Sequence, residues 1–487
     1  MTAYLGFIGP AYSLKNVAYD CQTLVNWYCE VDETGKGREA EVAQFRPRPG
    51  LKKIMKNLPS PSRGLFEASN GKLYGVFGDQ LHVFNSNGSS NTNWTTTRLT
   101  SGIPGIEPVQ FADNSLSLFI IADGQPYAYT YAGGAFTILS GGAYTAVSSM
   151  TYIDGRVVFT EANSKRFFWT DVLSLEAPAL NFASAETDPE DTVGLINNNL
   201  DLWIFGKRSI EIWYNASQGN TIFARRGNAL IDTGCAAART IQKLNNTVAW
   251  LSVDNRGGPI MMVAAGYSPQ RISTFALEQY WSNFTADQIK GASGYPIQLE
   301  GHNMYVLNIP GSDTTWVYDF TSSQQMGKPM WSEWKSDKGD GFQGRHLAVN
   351  QVYHKGNHVC SDYIVGTVYV MEGLTDNDMR IMRERTAPHI SNEMKRIIYT
   401  NLILLFSTGI VIDQNLDPQA IIQFSDDGGY TWSEERWVSA GKVGQYGLRV
   451  DASRLGSGRN RVFRIRCYDP IDWQLSGATL DVKVGAH

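Results

Sequence analysis

The feature that most constrains this chain is a unit recurring every 41 to 57 residues, a turn pair of Asn, Asp or Gly followed at once by alternating apolar residues. It stands as Asn70-Gly71 before Leu73 to Phe77, Asp113-Asn114 before Leu116 to Ile120, and Asp154-Gly155 before Val157 to Phe159. It returns as Asn198-Asn199 before Leu200 to Phe205, Asn245-Asn246 before Val248 to Leu251, and His302-Asn303 before Met304 to Leu307. A weaker seventh start is Ser361-Asp362 before Tyr363 to Val365. Such pairs tolerate the positive φ angles of tight hairpins, and the alternation behind them is that of a strand. One hairpin of this size cannot bury its own apolar faces. Repetition around an axis solves that, and a period of about 40 to 50 residues with several short strands marks propeller blades. The expected fold is therefore all-β, a β-propeller of about six to eight blades with an additional β-rich region. The alternative arrangement is a string of meanders in one or two sandwiches.

Composition agrees with strands and turns: aromatic residues make up 12%, Gly contributes 47 residues, and charged residues only 18%. Residues 1–60 lack the blade spacing and read as an extended, strand-forming N-terminal segment. Residues 61–379 carry the blades. Residues 380–487 open on a charged stretch (Arg380, Arg383, Glu384, Arg385, Glu393, Lys395, Arg396) and continue in longer strands. One helix is expected over Ser273 to Asn283, where Phe275, Tyr280, Trp281 and Phe284 fall roughly on one side. The apolar run Ile397 to Ile412 is short for a bilayer and interrupted by polar residues, so it reads as a core strand pair around Ser407-Thr408-Gly409. The N-terminus lacks the pattern of a secretory signal. The sequons at Asn87, Asn93, Asn215, Asn245 and Asn283 therefore carry little weight. Five scattered cysteines without a CxxC pair point to free thiols in a reducing compartment.

Ser425-Asp426-Asp427-Gly428-Gly429-Tyr430-Thr431-Trp432 matches S-x-D-x-G-x-T-W and resembles the Asp-box of sialidases and other propellers. Ser425, Asp427, Gly429, Thr431 and Trp432 then form a hairpin staple, with an Asx-type turn at Asp427 and an aromatic anchor. The box itself is not catalytic, so it argues for a staple before it argues for a glycosidase. His354, His358 and Cys360 offer a soft-ligand cluster, but no second pair of His or Cys matches them, and a polar loop is the expectation. No nucleophile elbow, HExxH, Walker loop or GxGxxG is present, so no catalytic, cofactor or metal residues are assigned. Arg454, Arg459, Arg461, Arg464 and Arg466 crowd 13 residues. In strand register Phe463 and Ile465 share one face and Arg464 and Arg466 the other. Arg454, Arg459, Arg464 and Arg466 thus offer either a solvated strand face or a face for an acidic partner or DNA phosphates. The formal charge of -5 argues against a protein held to nucleic acid by general electrostatics.

The run Gln22 to Glu30, with Asn26, Tyr28 and Glu30 in the pattern Q-x-x-x-N-x-Y-x-E, is followed by Pro49-Gly50-Leu51. It resembles the opening of the packaged-DNA stabilisation proteins (tail accessory, tail nozzle proteins) of short-tailed bacteriophages. Later segments resemble the family in the right order: Thr233-Gly234-Cys235, Trp250 with Asp254, Gly266-Tyr267, Arg271 to Thr274, His302, and Trp316 with Asp319. Trp331, Trp334, the Asp-box and Arg454-Leu455-Gly456 follow. The resemblance implies a structural virion protein, not an enzyme, with no cofactor. Such proteins form a nozzle or hub below the portal adaptor, commonly a homohexameric ring. They extend and close the DNA channel, stabilise packaged DNA and take part in ejection. The implied partners are the portal adaptor (head-completion protein), a tail needle or plug, and tail fibres or tailspikes. Double-stranded DNA passes through without sequence-specific binding, and no membrane is involved. Assembly in the host cytoplasm and residence in the virion tail follow. The N-terminal and C-terminal segments are the candidates for ring and adaptor contacts. The alternative reading is a sialidase-like or other glycan-processing or glycan-binding β-propeller.

Overall fold

The computed structural model describes residues 2–4, 6–32, 43–86, 94–187, 190–218, 221–254, 257–337, 343–393, 395–409 and 415–484. Asn87 and Asn93 lie outside them. Among the described residues the chain forms a β-propeller of seven four-stranded blades. Six take their strands consecutively from residues 62–100, 110–138, 147–184, 192–231, 242–271 and 293–337. The seventh combines Ala348–His354, Asn357–Asp362 and Gly366–Met371 with Leu51–Leu58 from far upstream. Leu51–Leu58 lies within the stretch expected to stand outside the blade rhythm. By pairing with Gly366–Met371 it joins the start of the chain to the last blade and covers that strand's open edge.

In the first, third and fifth blades the turn pair read from sequence joins the first strand to the second; in the second blade Asp113 ends the first strand and Asn114 to Leu116 make the connection, with Ser115 at φ of 72°. Asp154 and Gly155 have φ of 48° and 80°. In the fourth blade the left-handed pair is Asn199 and Leu200, at 50° and 68°, so Leu200 belongs to the turn and not to the strand. The sixth and seventh blades also differ from expectation. Their turns are Glu300-Gly301 and Lys355-Gly356, while His302 already lies in a strand and Ser361-Asp362 end one. Gly301 and Gly356 accept the left-handed angle freely at the second turn position, while Glu300 and Lys355 each hold φ of 47° at the first, where Asn or Asp was sought. The span His354 to His358 is this seventh hairpin. His354 Nδ1 lies 3.1 Å from Glu67 Oε1 and His358 Nδ1 2.8 Å from Gln351 Nε2.

The interval before the sixth blade is long because two helices, Phe275–Trp281 and Ala286–Lys290, are inserted there. The first falls inside the expected helix. Thr274 caps it, and Trp281 is buried edge-on against Trp316 and Trp331.

A β-sandwich packs beside the propeller. One of its sheets runs through Leu24–Val25, Arg383–Thr386, Asn460–Cys467, Gln419–Ser425 and Arg436–Ser439. It continues the sixth blade through a parallel pairing of Glu333 with Val25. The other runs through Val450–Ser453, Ile397–Phe406, Leu475–Val484, Ala43–Pro47 and Trp27–Val31. Trp27, Phe45, Leu402, Ile422, Phe463 and Trp473 meet between them. The strand pair expected around residues 407–409 does not form, and those residues lie outside any strand. Ile397–Phe406 instead pairs with Leu475–Val484 and Val450–Ser453, because only those distant strands complete its buried face. Residues 410–412 lie outside the described residues. Among the described residues no helix is long and apolar enough to cross a membrane. All five cysteines are buried, and none forms a disulfide among the described residues.

Candidate functional site at the propeller and sandwich junction

The family-pattern residues near the N-terminus converge where the two domains meet. Asn26, fully buried with φ of 56°, donates Nδ2 to the Met382 carbonyl at 2.6 Å. Its Oδ1 accepts from Arg48 Nε at 2.7 Å and from the Lys335 amide at 2.9 Å. One side chain thus ties the N-terminal segment to the sixth blade and the sandwich. Arg48 continues the network: its guanidinium donates to both carboxylate oxygens of Asp376, at 2.9 and 2.5 Å, and to the Pro49 and Lys335 carbonyls. Ser336 Oγ donates to Asp376 Oδ2 at 2.6 Å. Burial opposes ionisation of Asp376, but the Arg48 guanidinium overrides it and holds the carboxyl below the usual carboxylate range. Burial, aided by Arg48, pushes the nearby His346 down to about 3, so it stays neutral. Burial and Arg48 also push the fully buried Arg383 down to about 10.

Gly50 lies beside this node because no other residue fits. A Cβ there would stand 2.1 Å from the Thr375 carbonyl oxygen, and the Gly50 amide and carbonyl pair with Gly373 and Glu372. Pro49 meanwhile lines, with Tyr28, Arg46, Glu300 and Asp472, an open cleft of about 480 Å3 at the junction. Tyr28 donates to Glu300 Oε2 at 3.1 Å and meets the His302 ring edge-on, while Arg46 bridges Glu300 and Glu30. Burial, with the Glu300 carboxylate, pushes the Tyr28 hydroxyl well up, so it remains a donor.

His302, Asp319 and Ser322 come together, but not as a nucleophile backed by a base. His302 Nδ1 faces Asp319 Oδ2 at 2.8 Å, and Ser322 Oγ donates to the same oxygen at 2.7 Å. Asp319 also caps the helix Phe320–Met326 through the Ser322 amide. All three are buried, so the group closes a helix start rather than facing solvent. Trp250 and Trp316 are blade-core residues. Trp250 Nε1 donates to the Gly234 carbonyl at 3.0 Å, and Trp316 packs against Trp281, Tyr280 and Phe284.

The Asp-box occupies a sandwich hairpin and not a blade. Ser425 Oγ donates to Asp427 Oδ1 at 2.6 Å and accepts from the Gly429 amide at 2.8 Å, while Asp427 accepts from the Thr431 amide at 3.0 Å. These bonds from Ser425 and Thr431 hold the Asp427 carboxyl well below its usual range. Trp432 lies under the Arg464 guanidinium, 3.9 Å from its ring centre, and Gly429 lies against Cys21 of the N-terminal segment. Because Asp427 titrates low, the staple is present above the ordinary carboxylate pKa of about 4 and weakens only as pH falls toward its own value. We expect Asp427→Ala to speed amide exchange at Gly429 and Thr431 by at least tenfold while the global unfolding midpoint stays put; unchanged exchange would refute the staple.

The arginine stretch divides in two. Phe463 and Ile465 face the core, as register predicts. Arg466 pairs with Glu384 at 2.6 Å, Arg464 spans Gln423 and Trp432, and the buried Arg461 grips Asp426 through two bonds of 2.6 Å. Arg454 and Arg459 are exposed. Arg48 and Asp376 did not stand out in the sequence, and Arg385 stood out only as one member of a charged stretch. Arg385, fully buried, donates to the Phe7, Pro10 and Thr23 carbonyls and so fastens the N-terminal segment to the sandwich. The one available signal was the Arg46-Pro47-Arg48-Pro49-Gly50 run, in which prolines flank a cation whose partner lies 328 residues away.

A family model described as "Bacteriophage P22 Gp10, beta-propeller" matches residues 7–375, and "Bacteriophage P22 Gp10, beta-sandwich" matches residues 382–483. No curated protein matches the chain in sequence. Among solved structures, the Neurospora crassa Pan2 WD40 domain is 9% identical with a TM-score of 0.40, over 64% of this chain and 89% of that one. The WD40 domain of Toxoplasma gondii coronin is 10% identical with a TM-score of 0.34, over 95% and 90%.

Proposed function

Because this chain belongs to the bacteriophage P22 Gp10 family, tail accessory proteins of short-tailed phages, we propose that it forms the nozzle below the portal adaptor. As a phage tail structural protein it is a virion component; its finer role is to extend the DNA channel, close it with a needle or plug, and so retain the packaged genome until ejection. The observation that carries this reading is that both family regions run in order along the chain and fold as propeller and sandwich around one buried junction. A rigid junction suits a part that bears load between head and tail tip.

Residues 1–60 remain our candidates for ring and adaptor contacts, together with Arg454 and Arg459. Trp27 and Phe45 of that segment are core residues, so the surface it offers is narrower; part of it is Lys15, Asn16 and Tyr19, which border a groove of about 540 Å3 with Tyr430. Tail fibres or tailspikes would attach elsewhere on the same ring. The test is to add the purified chain to adaptor-bearing heads and assay nuclease protection of the packaged DNA. Protection that depends on the chain is expected; heads equally leaky with and without it would overturn the nozzle role.

A conduit should also not grip its cargo. Six copies carry a formal charge of about -30, and a lumen that shares this sign would repel the duplex and let it slide. We expect no salt-sensitive DNA binding by gel shift near physiological ionic strength, and tight binding there would contradict the conduit.

A further inference from the structure

Five aliphatic side chains stand in solvent at one side of the propeller: Leu116 (53% exposed), Val172 (55%), Leu173 (46%), Leu180 (87%) and Leu200 (70%). They lie in turns between first and second strands and in the third-to-fourth-strand loop of the third blade. In an antiparallel blade these connections emerge on the same face. Hydrogen bonds join them across blades two to four. Asn114 Nδ2 donates to the Ser174 carbonyl, the Leu173 amide to the Gly155 carbonyl at 2.8 Å, and Asn215 Nδ2 to Asp154 Oδ2 at 3.0 Å. Leu173 and Leu200 hold φ of 50° and 68°, where a bulky L residue is unfavourable and Asn or Gly would serve. Both are thus strained and exposed at once, which neither packing nor turn chemistry explains. Acids rim the arc: Asp154 and Glu176 are exposed, and Asp171 half so, with Arg156 beside it largely covered.

The complement lies on the same chain. The outer strand of the seventh blade, Leu51–Leu58, exposes Lys52, Lys53 and Lys56 around the half-buried Ile54 and Met55. Among the described residues its outer edge is paired only where Leu51 meets Asp376. This edge and the arc belong to different blades, so one copy cannot satisfy both with itself. A contact between two unlike surfaces of identical chains is head-to-tail, the kind that generates rings when it closes. We propose that the aliphatic, acid-rimmed arc of blades two to four receives the lysine-bearing edge strand of a second copy of this chain. The inference rests on the ring-forming nozzle reading above and names the surfaces that would build the ring.

The test is a charge exchange. The variants K52E/K53E/K56E and D154K/E176K change exposed side chains only, and Lys355 already occupies in the seventh blade the turn position that Asp154 holds in the third. Copies of the chain bound per adaptor-bearing head are counted for each variant and for an equimolar mixture of both with wild-type controls. Each variant alone should load at least tenfold fewer copies. Chains carrying all five substitutions should recover loading to within twofold, since the charges are then exchanged and not lost. Separate variants that load like wild type would overturn the proposed surfaces while leaving the nozzle reading intact, and so would failure of the five-fold variant to recover. Wild-type chain that never loads would overturn the nozzle reading, and this inference with it. A second measurement is independent of loading: K53C with L200C, joined by a short bis-maleimide on assembled heads, should give covalent multimers, because the native cysteines are buried. Monomers alone would again refute the contact.

Discussion

Asp376→Ala is expected to lower the free energy of unfolding by about 3 to 5 kcal/mol, the largest single-residue effect at the junction. The Arg48 guanidinium would remain fully buried with no carboxylate to face, and Ser336 would lose its acceptor. Breaking one half of a buried pair costs more than deleting both, so the double variant Arg48→Met, Asp376→Leu should recover a substantial part of the loss. Urea titration followed by tryptophan fluorescence measures both. Equal losses in the single and double variants would mean that the pair contributes through packing alone. The pH dependence has a definite sign. The folded carboxyl titrates below its unfolded value of about 3.9, so the pair contributes its full stability above that pH. That contribution drains away as pH falls through the lower folded value, and the Asp376→Ala chain should lack this acid-sensitive component.

Gly50→Ala is expected to cost about 3 kcal/mol, because the added carbon meets backbone and not a yielding side chain. Thr375 cannot retreat: its neighbour Asp376 pairs with Leu51, and Gly373 and Glu372 bond to Gly50 itself. The damage should concentrate where the seventh blade is closed by Leu51–Leu58. Amide exchange in Gly366–Met371 should accelerate more than in the third blade, which shares no strand with that seam. Uniform acceleration in both blades would show that the seam has no local role.

Much of the propeller was legible from local chemistry. Asp154-Gly155 names a tight hairpin because those two residues tolerate the angles the turn demands, and the following Val157 to Phe159 can only be a covered strand. The same reasoning placed Phe463 and Ile465 inward, and the helix at Phe275–Trp281. It slipped at Glu300-Gly301 and Lys355-Gly356, where a Glu or Lys takes the left-handed angle ahead of the glycine and the apolar alternation begins a residue or more away from the expected start. The Asp-box was recognised with its internal bonds, yet nothing local says whether such a hairpin decorates a blade or a sandwich. The junction was less visible still. Asn26, Tyr28 and Gly50 stood out as a pattern, but Arg48 and Asp376 pair across 328 residues, and a lone arginine between prolines carries no trace of its partner.

The amino-acid sequence by itself determined the repeat, the all-β class and the family, because turn angles and strand alternation are set by neighbours in the chain. Long-range pairing alone fixes that blades number seven, that Leu51–Leu58 closes the last of them, and that Leu24–Val25, Trp27–Val31 and Ala43–Pro47 complete the sandwich. Those choices depend on which distant strand covers an open edge or an apolar face, and on buried charges finding partners once water is gone. Hydrogen-bond satisfaction and desolvation act through space, so their outcome appears only when the whole chain is folded.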